Sequence, residues 1–228
     1  MSKKAGIAFV AMGAVLIFSA LLLLFYNVQE DETAGKEAES VMSELEAIIA
    51  DRITETDSSA ESDTSSPPET DRDTSDTDVD TDEAPPAPDE KPILSPELPV
   101  VDVNGYGYIG YIEFPTLDVK LPIMADWDYD RLKIAPCRQF GSSRTDDLVI
   151  AGHNYSKHFG KLWKLSVGNT VVFTDTDGIV NVYAVAKMSR LKPENVDTVK
   201  NSGYDLAIYT CTSSGQTRLV IFCNRVEK

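Results

Sequence analysis

The stretch DLAIYTCTSSGQTRLVIFCNR, residues 205–225, contains two apolar runs rich in β-branched and aromatic residues. The turn sequence Ser213-Ser214-Gly215 separates them. Runs of this composition on either side of a glycine-containing turn predict two neighbouring antiparallel strands. The first run ends at Cys211 and the second opens near Arg218, so this hairpin would carry both side chains at one end.

The same pattern of short apolar runs separated by turn residues extends back to about residue 100. Apolar runs occupy residues 108–114, 117–121, 147–152, 171–174 and 179–186. The pair Asp177-Gly178 between the last two runs is a strong hairpin signal. Short helical turns are expected around residues 128–134, 158–165 and 193–199. Many short strands at this spacing predict an all-β barrel or sandwich with small helical insertions.

Charge divides the chain into two unlike parts. Residues 29–99 hold 23 acidic and 4 basic side chains, whereas residues 100–228 hold 14 and 15. The formal net charge of −16 therefore belongs to the part before the folded segment, which is itself close to neutral. Because the folded segment has no basic stripe, nucleic-acid binding has no electrostatic support.

The N-terminus contains an uncharged apolar run at residues 5–26, and about 20 such residues are needed to cross a bilayer. Lys3 and Lys4 precede the run and acidic residues follow it, which predicts a cytoplasmic N-terminus and an extracellular C-terminal bulk. A cleaved signal peptide is the alternative. The run is longer than the usual apolar region of a signal peptide, and Asn27-Val28-Gln29 offers no suitable cleavage site, which favours an uncleaved anchor.

Between the anchor and the folded segment, two stretches differ in character. Residues 37–53 place Val41, Leu45, Ile48 and Ile49 at helical spacing. This spacing fits a short amphipathic helix near the membrane or a weak self-association stripe, and a marginal helix in a linker is the preferred interpretation. Residues 54–90 consist mostly of Asp, Glu, Ser, Thr and Pro. Such a composition buries too little apolar surface to offset its ordering entropy, so we expect a disordered spacer.

Three side chains suggest thiol chemistry. His153 and Cys211 each end an apolar strand, and Arg218 opens the next strand across a turn. Acyl transfer by a thiol needs a thiolate, an acid for the leaving amine and a donor for the developing oxyanion. Taken singly, each of these residues is more typical of a buried thiol, a hydrogen-bonded surface histidine or a solvated arginine. Only their occurrence together, at strand ends, indicates thiol chemistry.

The three cysteines lie within the folded segment, and no CxxC pair is present. This pattern argues against a disulfide scaffold and against a structural zinc site. We interpret Cys137 and Cys223 as structural thiols, with a bridge between them as the alternative. Asp126, Asp128 and Asp130 alternate as in the start of a calcium loop, but the glycine and closing glutamate of that motif are missing. A solvated acidic turn is the preferred interpretation, so no cofactor is expected and calcium is the alternative.

Several motifs resemble those of the sortases, cysteine transpeptidases of Gram-positive bacteria. They are AGHN at residues 151–154, IYTCT at 208–212 and TRLV at 217–220, in that order, together with GYIEFP at 110–115 and LPI at 121–123. The resemblance covers about residues 105–226. It implies a closed eight-stranded β-barrel at residues 100–228, after a basic N-terminus (1–4), a transmembrane helix (5–26) and a linker (27–99).

The resemblance also implies a reaction. Cys211 would attack a threonine carbonyl in an LPxTG-like sorting signal of a surface protein or pilin, leaving a thioacyl enzyme. An amine from a peptidoglycan precursor or a pilin lysine would then resolve it. His153 would act as acid and base, Arg218 would hold the substrate backbone and oxyanion, and Thr210 and Asn154 would line the substrate pocket. The protein would be a single-pass protein of the cell membrane with an extracellular catalytic domain.

Other classes fit the sequence less well. Papain-like peptidases usually place the cysteine before the histidine, and L,D-transpeptidases pack glycine, cysteine and arginine almost adjacently. A rival of another class is a non-catalytic, sortase-like binding or adhesion module on a membrane-tethered stalk. Such a module need not retain Cys211, His153 and Arg218 together. The motifs do not resolve the sortase subclass, since features of several subclasses occur together.

Overall fold

The structure is a computed structural model that describes residues 3–60 and 94–226. It contains three α-helices, α1 (Lys3–Ala60), α2 (Arg131–Ile134) and α3 (Val196–Lys200). The strands are β1 (Val101–Val103), β2 (Tyr106–Phe114), β3 (Val119–Met124), β4 (Cys137–Phe140), β5 (Leu148–Gly152), β6 (Thr170–Asp175), β7 (Val180–Leu191), β8 (Leu206–Cys211) and β9 (Arg218–Arg225). Short 3₁₀ turns occupy Pro115–Leu117, Phe159–Lys164 and Pro193–Asn195.

Eight of these strands form a closed barrel. Their order is β2-β3-β4-β5-β8-β9-β7-β6, and pairing of β6 with β2 closes the ring. The short strand β1 adds to the first residues of β2. Neighbouring strands are antiparallel except for the parallel pairs β3–β4 and β5–β8. Closure confirms the predicted eight-stranded barrel and excludes the sandwich.

The interior of the barrel is a continuous apolar core. Alternate residues of each strand point inward, as the pleat requires. The core includes the fully buried side chains Ile112, Phe114, Ile123, Leu148, Ile150, Phe173, Tyr183, Leu206, Ile208 and Ile221. Burying one such aliphatic or aromatic side chain is favourable by about 1.5–3 kcal/mol. This core fixes the barrel wall on which the strand ends carry their functional groups.

Helix α1 begins with the predicted membrane span. Its apolar N-terminal part meets the length and composition of a span, and none of its most apolar window is buried against the protein. The helix does not end after residue 26, however, but continues to Ala60. Residues 27–60, predicted as the first part of the linker, are therefore helical. Disorder is predicted for residues 54–90, but those up to Ala60 belong to the helix. Residues 61–90 lie outside the described residues.

The second half of α1 packs on the barrel. Val41, Leu45 and Ile49 are buried against a cluster formed by β1, β2, α2 and β4, which includes Val103 and Tyr108. The spacing of three and four residues places these side chains on one face of the helix. The apolar stripe predicted from the sequence is therefore present, but it packs on the barrel and not on a membrane or in a free linker.

Leu45 should be the strongest single contributor to this docking, since it is 0 % exposed. We expect Leu45→Ala to lower the free energy that holds α1 on the barrel by about 2–5 kcal/mol. Urea unfolding of the full chain in detergent, together with limited proteolysis of the helix, measures the change. Glu39→Ala, an exposed position on the same helix, is the control and should change stability by less than about 0.5 kcal/mol. Equal stability of both variants would contradict the docking.

Candidate active site

The register of three strands brings the predicted catalytic residues to one end of the barrel. In the parallel pair β5–β8, Gly152 lies opposite Thr210, so His153 and Cys211 follow side by side. In the antiparallel pair β8–β9, Cys211 lies directly opposite Arg218. Neighbouring strands are about 4.8 Å apart. Residues separated by up to 65 positions in the chain are thus placed on three adjacent strand ends.

Cys211 borders three clefts. The His153 cleft, of about 580 Å³, is lined by His153, Tyr155, Ser213 and Gly215, and by Asn27, Val28, Glu30 and Asp31 of α1. The Arg218 cleft, of about 200 Å³, is lined by Arg218, Trp127, Tyr129, Leu132, Gln139 and Tyr209. The barrel-mouth cleft, of about 220 Å³, is lined by Asn154, Gly160, Trp163, Arg190, Thr210 and Leu219. Cys211 therefore lies where the three clefts meet.

Cys211 differs from the other cysteines in its accessibility. It is partly exposed, whereas Cys137 and Cys223 are both 0 % exposed. Burial raises the pKa of each of these two thiols to about 12, so they stay protonated at neutral pH. All three cysteines are free thiols, which excludes the bridge between Cys137 and Cys223 in this structure. Cys211 is the thiol that a substrate can reach.

His153 is held by stacking. Its ring lies parallel to that of Tyr155, with centroids 3.9 Å apart and planes 8° apart. Burial lowers the pKa of His153 below its usual 6.5, with Glu30 acting in the opposite direction. The neutral imidazole, which can accept a proton, is therefore favoured at neutral pH. Its Nδ1 is buried and has no hydrogen-bond partner within residues 3–60 and 94–226.

The second histidine is a poor candidate for the same chemistry. His158 is 1 % exposed, and burial lowers its pKa to about 4. Its Nε2 lies 3.4 Å from the backbone oxygen of Ala34 in α1. His158 therefore joins the barrel to the helix, and His153 is the histidine that borders Cys211.

Helix α1 contacts the loop that follows His153. Asp31 accepts hydrogen bonds from the Ser156 hydroxyl and, at 3.4 Å, from the Lys157 backbone N–H. Burial, followed by a hydrogen bond with Glu30, raises the pKa of Tyr155 to about 12, so its ring stays neutral beside the imidazole. Neither α1 nor Tyr155 is predicted at the site from the sequence. The only signal was the position of Tyr155, two residues after His153.

Arg218 is anchored by its own turn. Its Nη1 donates to the backbone oxygens of Gly215, at 3.1 Å, and Thr217, at 3.4 Å. Gly215 has a positive φ of 71°, a conformation that glycine adopts without strain. The guanidinium is thereby held at the rim of the Arg218 cleft, beside the exposed aromatic pair Trp127 and Tyr129.

The two predicted substrate-binding residues occupy different positions. Thr210 is 2 % exposed, and its hydroxyl has no hydrogen-bond partner in the described part of the chain. Asn154 borders both the His153 cleft and the barrel-mouth cleft. Both residues adjoin Cys211, as the predicted roles require, and those roles remain predictions.

The acidic turn considered as a calcium site forms ion pairs with basic side chains of the protein. Asp126 pairs with Arg131 at 3.0 Å, and Asp130 pairs with Lys133 at 2.9 Å. The carboxylate of Asp128 accepts the backbone N–H of Asp130. Across the described ranges, no group of three or more His, Cys, Asp or Glu side chains has the arrangement of a metal site. The three carboxylates of the turn thus have partners within the protein.

Part of the chain is similar to solved structures of other proteins. Among solved structures, the chain is similar to sortase A from Corynebacterium diphtheriae (22% identity, TM-score 0.49, 54% of this chain and 62% of that chain). It is also similar to sortase C-1 from Actinomyces oris (27% identity, TM-score 0.47, 52% of this chain and 73% of that chain). The chain thus spans less than two thirds of the C. diphtheriae protein. No curated protein matches the sequence.

The family comparison covers the barrel itself. The model of the sortase domain matches residues 112–226, just over half of the chain. This range begins in β2, runs through every later strand and includes His153, Cys211 and Arg218. The chain belongs to the sortase family.

Proposed function

We propose that this protein is a cysteine transpeptidase that cleaves an LPxTG-like sorting signal and joins the surface protein or pilin to an amine. The observation that carries the proposal is the convergence of Cys211, His153 and Arg218 on adjacent strand ends. Cys211 is the accessible thiol, His153 can exchange a proton, and Arg218 is a fixed cation. These are the groups that acyl transfer by a thiol requires.

The reaction has two steps. His153 takes the proton of the Cys211 thiol, and the sulfur attacks the carbonyl carbon of the threonine. The C–N bond to the next residue then breaks, and His153 passes the proton to the leaving amine. The acceptor amine then attacks the thioester carbon while His153 takes its proton. The C–S bond breaks and the thiol is restored. Arg218 donates to the carbonyl oxygen as negative charge develops there, which lowers both barriers.

The N-terminal helix supports a location at the cell membrane. Lys3 and Lys4 precede the apolar run, so the catalytic domain would lie outside the cell. From residue 26, where the predicted span ends, to Asp31 the helix rises only about 8 Å. Because Asp31 already contacts the loop after His153, the catalytic clefts would lie close to the membrane surface. In this arrangement, the acidic spacer at residues 54–90 does not determine the distance between the membrane span and the barrel.

The full chain in detergent micelles, incubated with LPxTG-like peptides and candidate amines, tests the proposal. We expect release of the peptide segment after the threonine and a transient mass increase on the Cys211-containing fragment, read by mass spectrometry. Addition of an amine should convert the acyl enzyme into an amide product. A chain that binds these peptides without cleavage and without an adduct on Cys211 would instead be the non-catalytic module.

A further inference from the structure

The two faces of strand β8 lead to different clefts. Successive residues of a strand point to opposite faces, so Thr210 and Cys211 face opposite ways. Thr210 pairs with Leu219 of β9, and Leu219 pairs with Arg190 of β7. Residues directly opposite each other in antiparallel strands share one face. Thr210, Leu219 and Arg190 therefore form a row that lines the barrel-mouth cleft, on the other side of β8 from Tyr209 in the Arg218 cleft.

An unsatisfied hydroxyl marks the inner end of this row. The Thr210 side chain is 2 % exposed, and its Oγ1 has no partner within the described residues. Buried polar side chains are hydrogen-bonded in the large majority of cases. A threonine hydroxyl can both donate and accept, so it can bind an amine or an amide group that enters the cleft. Cys211, the next residue, borders the same cleft.

The outer end of the row carries a positive charge. Arg190 is the one charged side chain among the described residues that line the barrel-mouth cleft. It is exposed, and no carboxylate of the described chain forms an ion pair with it. Trp163, 65 % exposed, adds an aromatic surface at the rim. The cleft thus combines a hydrogen-bonding group beside the nucleophile with a cation farther out.

We propose that the barrel-mouth cleft binds the acceptor substrate, a primary amine that carries a carboxylate several bonds from the nitrogen. This inference rests on the proposed function. Two strand spacings put the Cα of Arg190 about 10 Å from that of Thr210, which suits an amine and a carboxylate at opposite ends of one small molecule. Thr210 receives the amine, and the Arg190 guanidinium pairs with the carboxylate.

The arrangement also separates the two substrates in space. The acylating peptide occupies the Arg218 face, because Arg218 must reach its carbonyl oxygen. The amine approaches the thioester carbon from the other face, beside Asn154, which borders both this cleft and the His153 cleft. As the new C–N bond forms and the C–S bond breaks, the proton of the amine passes through His153 to the departing sulfur.

Two acceptors that differ only in charge test the proposal with the full chain in detergent. Nα-acetyl-lysine has a free carboxylate, and Nα-acetyl-lysinamide has the same amine with a neutral amide in its place. With one sorting-signal peptide as donor, we expect the apparent KM for the carboxylate compound to be about fourfold lower. The preference should shrink in 1 M salt, since the exposed pair is screened.

Arg190→Gln should reduce the KM ratio of the two acceptors to about one. Lys187→Gln is the matched control, because it removes a cation from the same strand but outside the cleft, and its KM ratio should stay that of the unmodified protein. Equal KM values for the two acceptors in the unmodified protein, or equal loss of preference in both variants, would overturn the inference. Failure of the proposed function looks different, because no acyl enzyme would then form with the donor peptide alone.

Discussion

Replacing Cys211 with alanine is expected to lower the rate of sorting-signal cleavage by more than about 10⁴-fold. The substitution removes the sulfur to which the acyl group is transferred in the proposed reaction. The fold should persist, because Cys211 ends its strand and is only partly buried. A quenched sorting-signal peptide measures the rate, and circular dichroism checks the fold.

Cysteine labelling provides a second measurement on the same variant. Iodoacetamide should modify one cysteine in the native unmodified protein and none in Cys211→Ala, because Cys137 and Cys223 are fully buried thiols with a pKa of about 12. Cys137→Ala is the control and should keep its activity at temperatures below its unfolding transition. Cleavage by Cys211→Ala at a tenth of the normal rate or more would end the assignment of the nucleophile.

Arg218→Lys is expected to reduce kcat by about 10²-fold with little change in KM. The planar guanidinium bonds to the backbone of Gly215 and Thr217 and can still point a donor toward the substrate. A lysine ammonium is a flexible point charge that does not reproduce this fixed fork. Because the oxyanion exists only in the transition state, the loss should appear in kcat.

The matched control for this variant is Arg131→Lys. Arg131 lies on α2 near the Arg218 cleft and pairs with Asp126, a contact that lysine can also make. Its kcat should stay within about twofold of the unmodified value, as for other surface substitutions. Normal turnover by Arg218→Lys would mean that Arg218 serves only to hold its turn.

Docking of α1 makes the N-terminal helix part of the surface that surrounds the candidate site. The same helix that supplies the predicted span buries Val41, Leu45 and Ile49 on the barrel and contributes residues such as Asp31 to the His153 cleft. Removing the segment would therefore expose an apolar face and change the surroundings of His153. The full chain is therefore the form of the protein that keeps the candidate site intact.

The sequence by itself determined the features that are local. Alternation of apolar residues and glycine-containing turns predicted the strands, the all-β class and the strand-end positions of His153, Cys211 and Arg218. A strand that ends in a polar side chain is visible in a few consecutive residues. Closure of the barrel then followed from the family resemblance and was confirmed by the pairing of β6 with β2.

Only the tertiary structure decided which surfaces meet. The stripe at Val41, Leu45 and Ile49 predicted a helix but not its partner, since an apolar face packs equally well on a membrane, another helix or a barrel. The same limit applies to the row Thr210, Leu219 and Arg190, because pairing between distant strands sets which residues share a face. The spacing of apolar residues shows which face of a helix or strand is apolar. Which other element packs on that face depends on strand register and on packing over the whole chain.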